Sequence, residues 1–260
     1  MRKVTATLLS IVLVIWALPM AALLTSSLIQ GDLSSLLRGE AAPSLQQYRT
    51  LFENRQLLIR FRNSAVMTAG ILALQFPLSV LGGFWLARRR GKAQAIMAIC
   101  MVIAMLLPFQ SVMVPAFRLS KWTGLYDSPW AVILLQAFSP LGTLTVWFFL
   151  RAIPEDNWEA ALLDTSSQLR IFLRAILPQL LPALAVLALL CFAEAWNLVE
   201  QPLILLQDEG QLPASVSLND LELNGVEPYA GAVVYSLPIL FLYAVVGIIL
   251  NHSQADTQML

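Results

Sequence analysis

Residues 154–178 read Pro-Glu-Asp-Asn-Trp-Glu-Ala-Ala-Leu-Leu-Asp-Thr-Ser-Ser-Gln-Leu-Arg-Ile-Phe-Leu-Arg-Ala-Ile-Leu-Pro, the longest water-compatible helical stretch between two apolar segments. Pro154 suits the first turn of a helix, because its ring presets φ and its missing N–H is not needed there. Thr165 followed by Gln168 fits a capping box, which predicts the start of a second helix. Pro178 is predicted to end or kink that second helix. The stretch therefore predicts a helical hairpin.

The first half of this hairpin suits contact with a partner. It combines acidic residues one turn apart, small residues that allow close approach, and an apolar ridge: Glu155 and Glu159, Ala160 and Ala161, Trp158 and Leu162. These features are typical of a helix that docks into a groove. An amphipathic loop at the membrane surface without a partner is the alternative that residue types alone leave open.

Composition places the chain in a membrane. Of its 260 residues, 58% are hydrophobic and only 12% are charged, and the mean hydropathy is +0.72. Soluble domains carry about 25% charged residues. The net charge of zero gives no argument for nucleic-acid binding. We expect an all-α, polytopic membrane protein.

The apolar segments predict six transmembrane helices in a single domain, residues 1–260, with the hairpin between the fourth and fifth. They lie at about 4–24, 64–87, 95–115, 130–150, 179–199 and 231–250. A cleaved signal peptide is the alternative for the first segment, although its apolar run exceeds the roughly 7–15 residues of a signal core. An amphipathic helix on the outer surface is expected from Leu45 to Ile59.

Charge orients this bundle. Arg88, Arg89, Arg90 and Lys92 follow the second span and mark a cytoplasmic loop, whereas the loop at 200–230 holds six acids and no Lys or Arg. This predicts an inner-membrane protein with both termini in the cytoplasm and the hairpin on the cytoplasmic side.

Catalytic motifs are missing from the sequence. Gly91-Lys92 lacks the upstream glycine and the hydroxyl residue of a phosphate-binding loop, and the single histidine, His252, has no credible triad or metal partners. We therefore expect no enzyme activity, cofactor or metal in this chain.

Polar groups within the spans are the candidates for a solute pathway. Glu194 is the only ionisable residue in a predicted span, and such a group is a functional candidate because lipid exposure is costly. Alternatively, Glu194 lies near the outer end of the fifth span and its carboxylate simply reaches water. Gln75, Gln136 and Asn197 could bind solute or bridge helices. Trp196 could stack on a sugar ring or anchor the chain at the interface.

Several motifs carry a resemblance. They are Glu159-Ala160-Ala161 with Asp164 and Ile176-Leu177-Pro178, Asn63-Ser64-Ala65, Trp147-Phe148-Phe149, and Trp196-Asn197 before Pro202-Leu203. In this order they resemble the membrane subunits of binding-protein-dependent ABC importers, of the carbohydrate-uptake, maltose-permease type. The resemblance runs from about Tyr48 to Tyr243. Thr165 stands where that family usually has glycine, and residues 251–260 do not resemble its basic, glycine-bearing tail.

The resemblance implies partners and roles. The hairpin would dock on a cytoplasmic ABC ATPase dimer, which would hold ATP and Mg, with Glu159 paired to a basic residue there. The coupling residues would include Asp164 and Thr165. A second, related permease chain would complete the pathway, and an extracytoplasmic solute-binding protein would face the loop at 200–230. The solute would be a sugar or oligosaccharide.

Two other classes remain open from the residues alone. A secondary carrier or channel would need no ATPase, and Glu194 would be its only ionisable group at membrane depth. A structural or assembly factor would account for the spans but not for the acidic-then-basic hairpin.

Overall fold

The computed structural model of the chain describes residues 2–29, 38, 42–89, 91–154, 167–218 and 228–258, which are almost wholly helical. The helices are α1 (Arg2–Ser27), α2 (Gln46–Glu53), α3 (Arg55–Arg88), α4 (Lys92–Leu106), α5 (Phe109–Trp122), α6 (Pro129–Leu135), α7 (Pro140–Ala152), α8 (Gln168–Ile171), α9 (Leu177–Trp196), α10 (Glu200–Leu205), α11 (Ala214–Ser217) and α12 (Pro228–Gln258). A π-helical turn, Phe172–Ile176, joins α8 to α9, and a 3₁₀ turn spans Glu209–Gln211. The predicted all-α class is confirmed at this level.

Four segments of the described chain are long and apolar enough to cross a membrane. They are Arg55–Arg88, Pro129–Ala152, Leu177–Trp196 and Pro228–Asn251. Together α4 and α5 form a fifth if they are counted as one broken span, and Ile15–Ser27 is a shorter apolar helix. Four or five apolar helices agree with a polytopic membrane protein.

The bundle is centred on the contact between α3 and α7. Glycines permit it: a Cβ on Gly83 would lie 2.6 Å from Val146 Cβ and 2.9 Å from the Thr143 carbonyl oxygen, and a Cβ on Gly142 would overlap Ser79. Small residues at helix crossings let backbones approach closely, which is how helices associate where the solvent is lipid. The contacts advance in the same direction along both helices, from Ser79 with Gly142 to Gly83 with Val146. The two helices therefore run parallel, with their C-terminal ends together.

Two apolar clusters lie at opposite ends of this pair. One joins the first half of α3 to α6, α9 and α10 through Met67, Val132, Ala195 and Leu205 among others. The second joins the last half of α3 to α7, the π-helical turn and α9, and its buried members include Leu150, Ile171, Ile176 and Leu180.

The third span differs from its prediction as one helix at 95–115. The helix ends at Leu106, and α5 departs from α4 at an angle of 96°. Pro108 is the physical reason, because a proline disfavours helical backbone at the preceding residue. Leu107 is accordingly extended, at φ −75° and ψ 118°.

The outer amphipathic helix is also shorter than predicted. It ends at Glu53, and Asn54 starts a new helix by accepting a hydrogen bond from Leu57 N at 3.1 Å. Ile59 therefore belongs to α3, which begins nine residues before the predicted second span.

Prolines lie at irregularities near two other spans. The fourth is interrupted between α6 and α7, where Ser139 Oγ accepts a hydrogen bond from Gly142 N at 3.0 Å and Pro140 occupies the first turn. Pro178, predicted to end or kink the second helix, lies in the first turn of α9, which begins at Leu177 directly after the π-helical turn. In the π-helical turn the backbone hydrogen bonding of the helix adjusts to the missing N–H of Pro178.

Candidate functional site

Two regions of the structure bear on function, one at each end of the α3–α7 pair. The end with the C-termini of α3 and α7 holds the base of the predicted hairpin. The predicted coupling residues themselves lie outside the described residues; they are Glu155, Trp158, Glu159, Ala160, Ala161, Leu162, Asp164 and Thr165.

The chain enters and leaves the hairpin from one apolar cluster. Ile153, directly before the predicted hairpin, and Ile171 and Ile176, in its last part, all pack in the cluster formed by α3, α7 and α9. Phe84 of α3 makes an edge-to-face contact with Phe172, with ring centroids 4.9 Å apart. Such a contact adds to the apolar burial. The described residues at both ends of the predicted hairpin thus pack on the same three helices.

This end of the molecule is basic at its surface. The guanidinium of Arg151 lies 5.4 Å from the centre of the Trp147 ring, and that of Arg89 lies 5.0 Å from Trp85. Both arginines are exposed, as is Lys92 at the start of α4. Arg89 and Lys92, two of the residues predicted to mark a cytoplasmic loop, therefore lie at the same end as the base of the predicted hairpin.

The opposite end contains Trp196, which the structure places inside the bundle. Its side chain is 4% exposed, its ring stacks on Phe192 at 5.6 Å, and its Nε1 donates to the Tyr235 carbonyl oxygen at 3.1 Å. Tyr235 in turn donates from its hydroxyl to the Trp196 carbonyl oxygen at 2.7 Å and to Asn197 Oδ1 at 3.1 Å. In this conformation Trp196 and Asn197 join α9 to α12.

Glu194 lies on a different face of the same helix. It is exposed in the isolated chain and continues a stripe of exposed residues with Leu190 and Val186. A carboxylate on a stripe that is otherwise apolar is unfavourable against lipid. This face of α9 therefore suits a partner chain or a water-filled path.

The two predicted glutamines occupy different environments. Gln75 is buried on α3, and its Oε1 has no hydrogen-bond partner among the described residues. Gln136 is half-buried at the break between α6 and α7, where the helical ladder is interrupted. The structure does not bring Gln75, Gln136 and Glu194 into one hydrogen-bonded group within the described chain.

The segment at 200–218 folds back on the bundle, which sequence reasoning missed. Asn63 Nδ2 donates to the Gly210 carbonyl oxygen at 2.7 Å, Ser64 Oγ accepts from Ala214 N at 2.9 Å, and Arg60 Nη1 donates to Ser217 Oγ at 2.5 Å. Only Asn63-Ser64, which contributed to the resemblance, gave a signal for these contacts. Residues 200–218 of the predicted acidic outer loop thus pack against the first part of α3.

Asp127 ties the same segment to the loop after α5. Its backbone has a positive φ of 60°, and its Oδ1 accepts hydrogen bonds from Gln207 N at 2.7 Å and Asp208 N at 3.0 Å. The N–H groups of Asp208 and Gln207 lower the pKa of the Asp127 carboxyl, because they stabilise its charged form. Gln110 Nε2 adds a second tie, at 2.8 Å from each carboxylate oxygen of Glu200.

These features define a class of protein. The described chain is an apolar helical bundle, its polar contacts organise helix ends, and it contains no cluster of side chains suited to hold a metal. That is the architecture of a polytopic membrane subunit. The chain belongs to the family described as binding-protein-dependent transport system inner membrane component, whose model matches residues 79–256. The family predicted from the sequence motifs is confirmed.

Curated relatives carry names from polysaccharide and oligosaccharide transport. The chain is 30% identical to the polygalacturonan/rhamnogalacturonan transport system permease protein YtcP of Bacillus subtilis, over 68% of this chain and 62% of that protein. It is 31% identical to the probable starch degradation products transport system permease protein AmyC of Thermoanaerobacterium thermosulfurigenes, over 75% of this chain and 73% of that protein. The melibiose/raffinose/stachyose import permease protein MelC of B. subtilis is 27% identical, over 87% of this chain and 85% of that protein.

Solved structures share the fold. A chain of a bacterial ABC transporter involved in the import of the acidic polysaccharide alginate superposes with a TM-score of 0.76 at 21% identity, covering 94% of each chain. A chain of a bacterial alginate ABC transporter in complex with an alginate pentasaccharide-bound periplasmic protein superposes with a TM-score of 0.67 at 17% identity, covering 96% of this chain and 94% of that one.

Proposed function

We propose that this chain is a permease subunit of an ATP-driven ABC importer and forms part of the path of a sugar or oligosaccharide. The observation that carries the proposal is the family match over residues 79–256, together with carbohydrate-transport names among the relatives. The proposed bundle has six spans, with α1 as the first and α4–α5 as the third, in the inner membrane with both termini in the cytoplasm.

The hairpin at 154–178 transmits the conformational change. A cytoplasmic ATPase dimer, which holds ATP and Mg, receives residues 155–165 in a groove, and Glu159 contacts a basic residue there. The shared apolar base supports this role, because Ile153 and Phe172 are packed on the helices that would have to move. Force on the hairpin reaches α9 and α12 through the π-helical turn and the prolines at 178 and 182.

The outer end receives the solute from an extracytoplasmic binding protein. The ordered segment at 200–218 gives that end a defined surface, held by Asn63, Ser64 and Asp127. A second, related permease chain faces the exposed stripe of α9 that carries Glu194. Gln136 and Glu194 are the candidates for contact with solute, while Trp196, Asn197 and Gln75 support the helices around the path.

The test is Glu159→Arg in the assembled transporter. We expect it to abolish the stimulation of ATP hydrolysis by loaded binding protein, because a reversed charge at the docking surface opposes a basic partner. Glu53→Arg is the matched control: it reverses an exposed carboxylate on α2, at the far end of the proposed bundle. Normal stimulation of Glu159→Arg in a fully assembled complex would contradict the coupling role.

A further inference from the structure

A groove of about 330 Å³ opens between the middle of α4 and the middle of α7, one helical turn from Arg151. It is lined by Ala98, Val102, Leu144, Thr145, Trp147 and Phe148. Phe148 and Val102 are 70% and 47% exposed, so the groove is open along its side. Apart from the Thr145 hydroxyl and the indole N–H of Trp147, its wall is hydrocarbon.

The groove changes character along its length. Towards the end of α7 it reaches Trp147, whose ring lies under the guanidinium of Arg151, and α4 starts nearby with the exposed Lys92. Trp147 Nε1 is buried and has no hydrogen-bond partner among the described residues, so it lacks an acceptor from this part of the chain. An apolar slot with a basic end matches a molecule that has a hydrocarbon body and an anionic head.

We propose that this groove binds an anionic phospholipid, with one acyl chain between α4 and α7 and the phosphate near Arg151 and Lys92. Basic pockets between membrane helices on the cytoplasmic side recognise acidic lipid head groups in this way. In the proposed topology the lipid belongs to the inner leaflet, beside the base of the coupling hairpin.

The test uses the assembled transporter reconstituted with equal amounts of phosphatidylglycerol and phosphatidylethanolamine, then stripped by mild detergent. Lipid retained per complex is counted by mass spectrometry. We expect wild type to retain phosphatidylglycerol preferentially, Ala98→Phe to abolish retention by filling the groove, and Arg151→Gln to weaken it about fivefold, the effect of removing one basic contact with an anionic lipid. Arg118→Gln, an exposed arginine on α5, is the matched control and should retain lipid as wild type does.

Three results would overturn the proposal. Equal retention of the two lipids in wild type would remove the role of the head group. Unchanged lipid retention in Arg151→Gln, in a complex that assembles normally, would show that Arg151 does not bind the head group. This result holds even if the Ala98→Phe variant does not fold. Efficient cross-linking of Val102→Cys to another protein chain would show that protein, not lipid, fills the groove.

Discussion

At the scale of single residues, close packing in this bundle is set by glycines whose role depends on position. Gly83 has no room for a side chain, since the nearest obstacles include the backbone oxygen of Thr143 as well as the Val146 side chain. Gly247, on α12, has no atom of the described residues within 4 Å of the corresponding position. The same residue type is therefore a packing requirement in one helix and an unconstrained position in another.

Gly83→Ala should destabilise the protein by about 1–3 kcal/mol, because a methyl group forced against backbone separates α3 from α7. Gly247→Ala should be neutral or slightly stabilising, since alanine favours a helix over glycine by about 1 kcal/mol. Thermal unfolding of both variants in the same detergent measures the difference. Equal melting temperatures for the two variants would show that the α3–α7 contact tolerates expansion.

At the scale of helices, α9 is held differently at its two ends. Its beginning joins the π-helical turn and the base of the hairpin, while its last turn is joined to α12 by Trp196 and Tyr235. In the proposed mechanism, a displacement of the hairpin reaches α12 along α9 through this pair. The π-helical turn lies at the start of this helix, and sharp kinks in helices commonly occur at such turns.

Tyr235→Phe keeps the ring but removes the hydroxyl that donates to the Trp196 carbonyl oxygen and to Asn197. We expect a loss of about 1–3 kcal/mol of stability, because buried acceptors lose their donor. We also expect weaker coupling of ATP hydrolysis to uptake. Tyr243→Phe, on the same helix with a side chain 66% exposed, is the control. If both variants couple equally well, the hydroxyl does not link α9 to α12 in function.

At the scale of the whole molecule, orientation follows from where charge lies. The exposed Arg89 and Lys92 share an end with Arg151, and the segment at 200–218 occupies the opposite end. The bend between α4 and α5 leaves α4 with 15 residues, about 22 Å of helix against a hydrocarbon core of about 30 Å. The difference in charge between the two ends predicts which positions a membrane-impermeant reagent labels in intact cells.

In a background with Cys100→Ala and Cys191→Ala, single cysteines at Lys92 and Glu209 should report opposite sides of the membrane. An impermeant maleimide should label Glu209→Cys in intact cells, but should label Lys92→Cys only after the inner membrane is opened. The reverse pattern would invert the proposed topology, and labelling of both sites in intact cells would place them on one side.

The sequence by itself determined the membrane class, the approximate position of most apolar helices and the family. These depend on composition, on runs of apolar residues and on local motifs such as Glu159-Ala160-Ala161, all of which are read from neighbouring positions. Only the tertiary structure decided the 96° bend after Leu106, the return of 200–218 onto α3 and the burial of Trp196. The physical reason is that the return of 200–218 and the burial of Trp196 depend on contacts between residues far apart in the chain, such as Arg60 with Ser217 and Trp196 with Tyr235. The bend after Leu106 is local, but a proline in the sequence does not show whether the helix continues through it, as α9 does at Pro182, or breaks, as at Pro108.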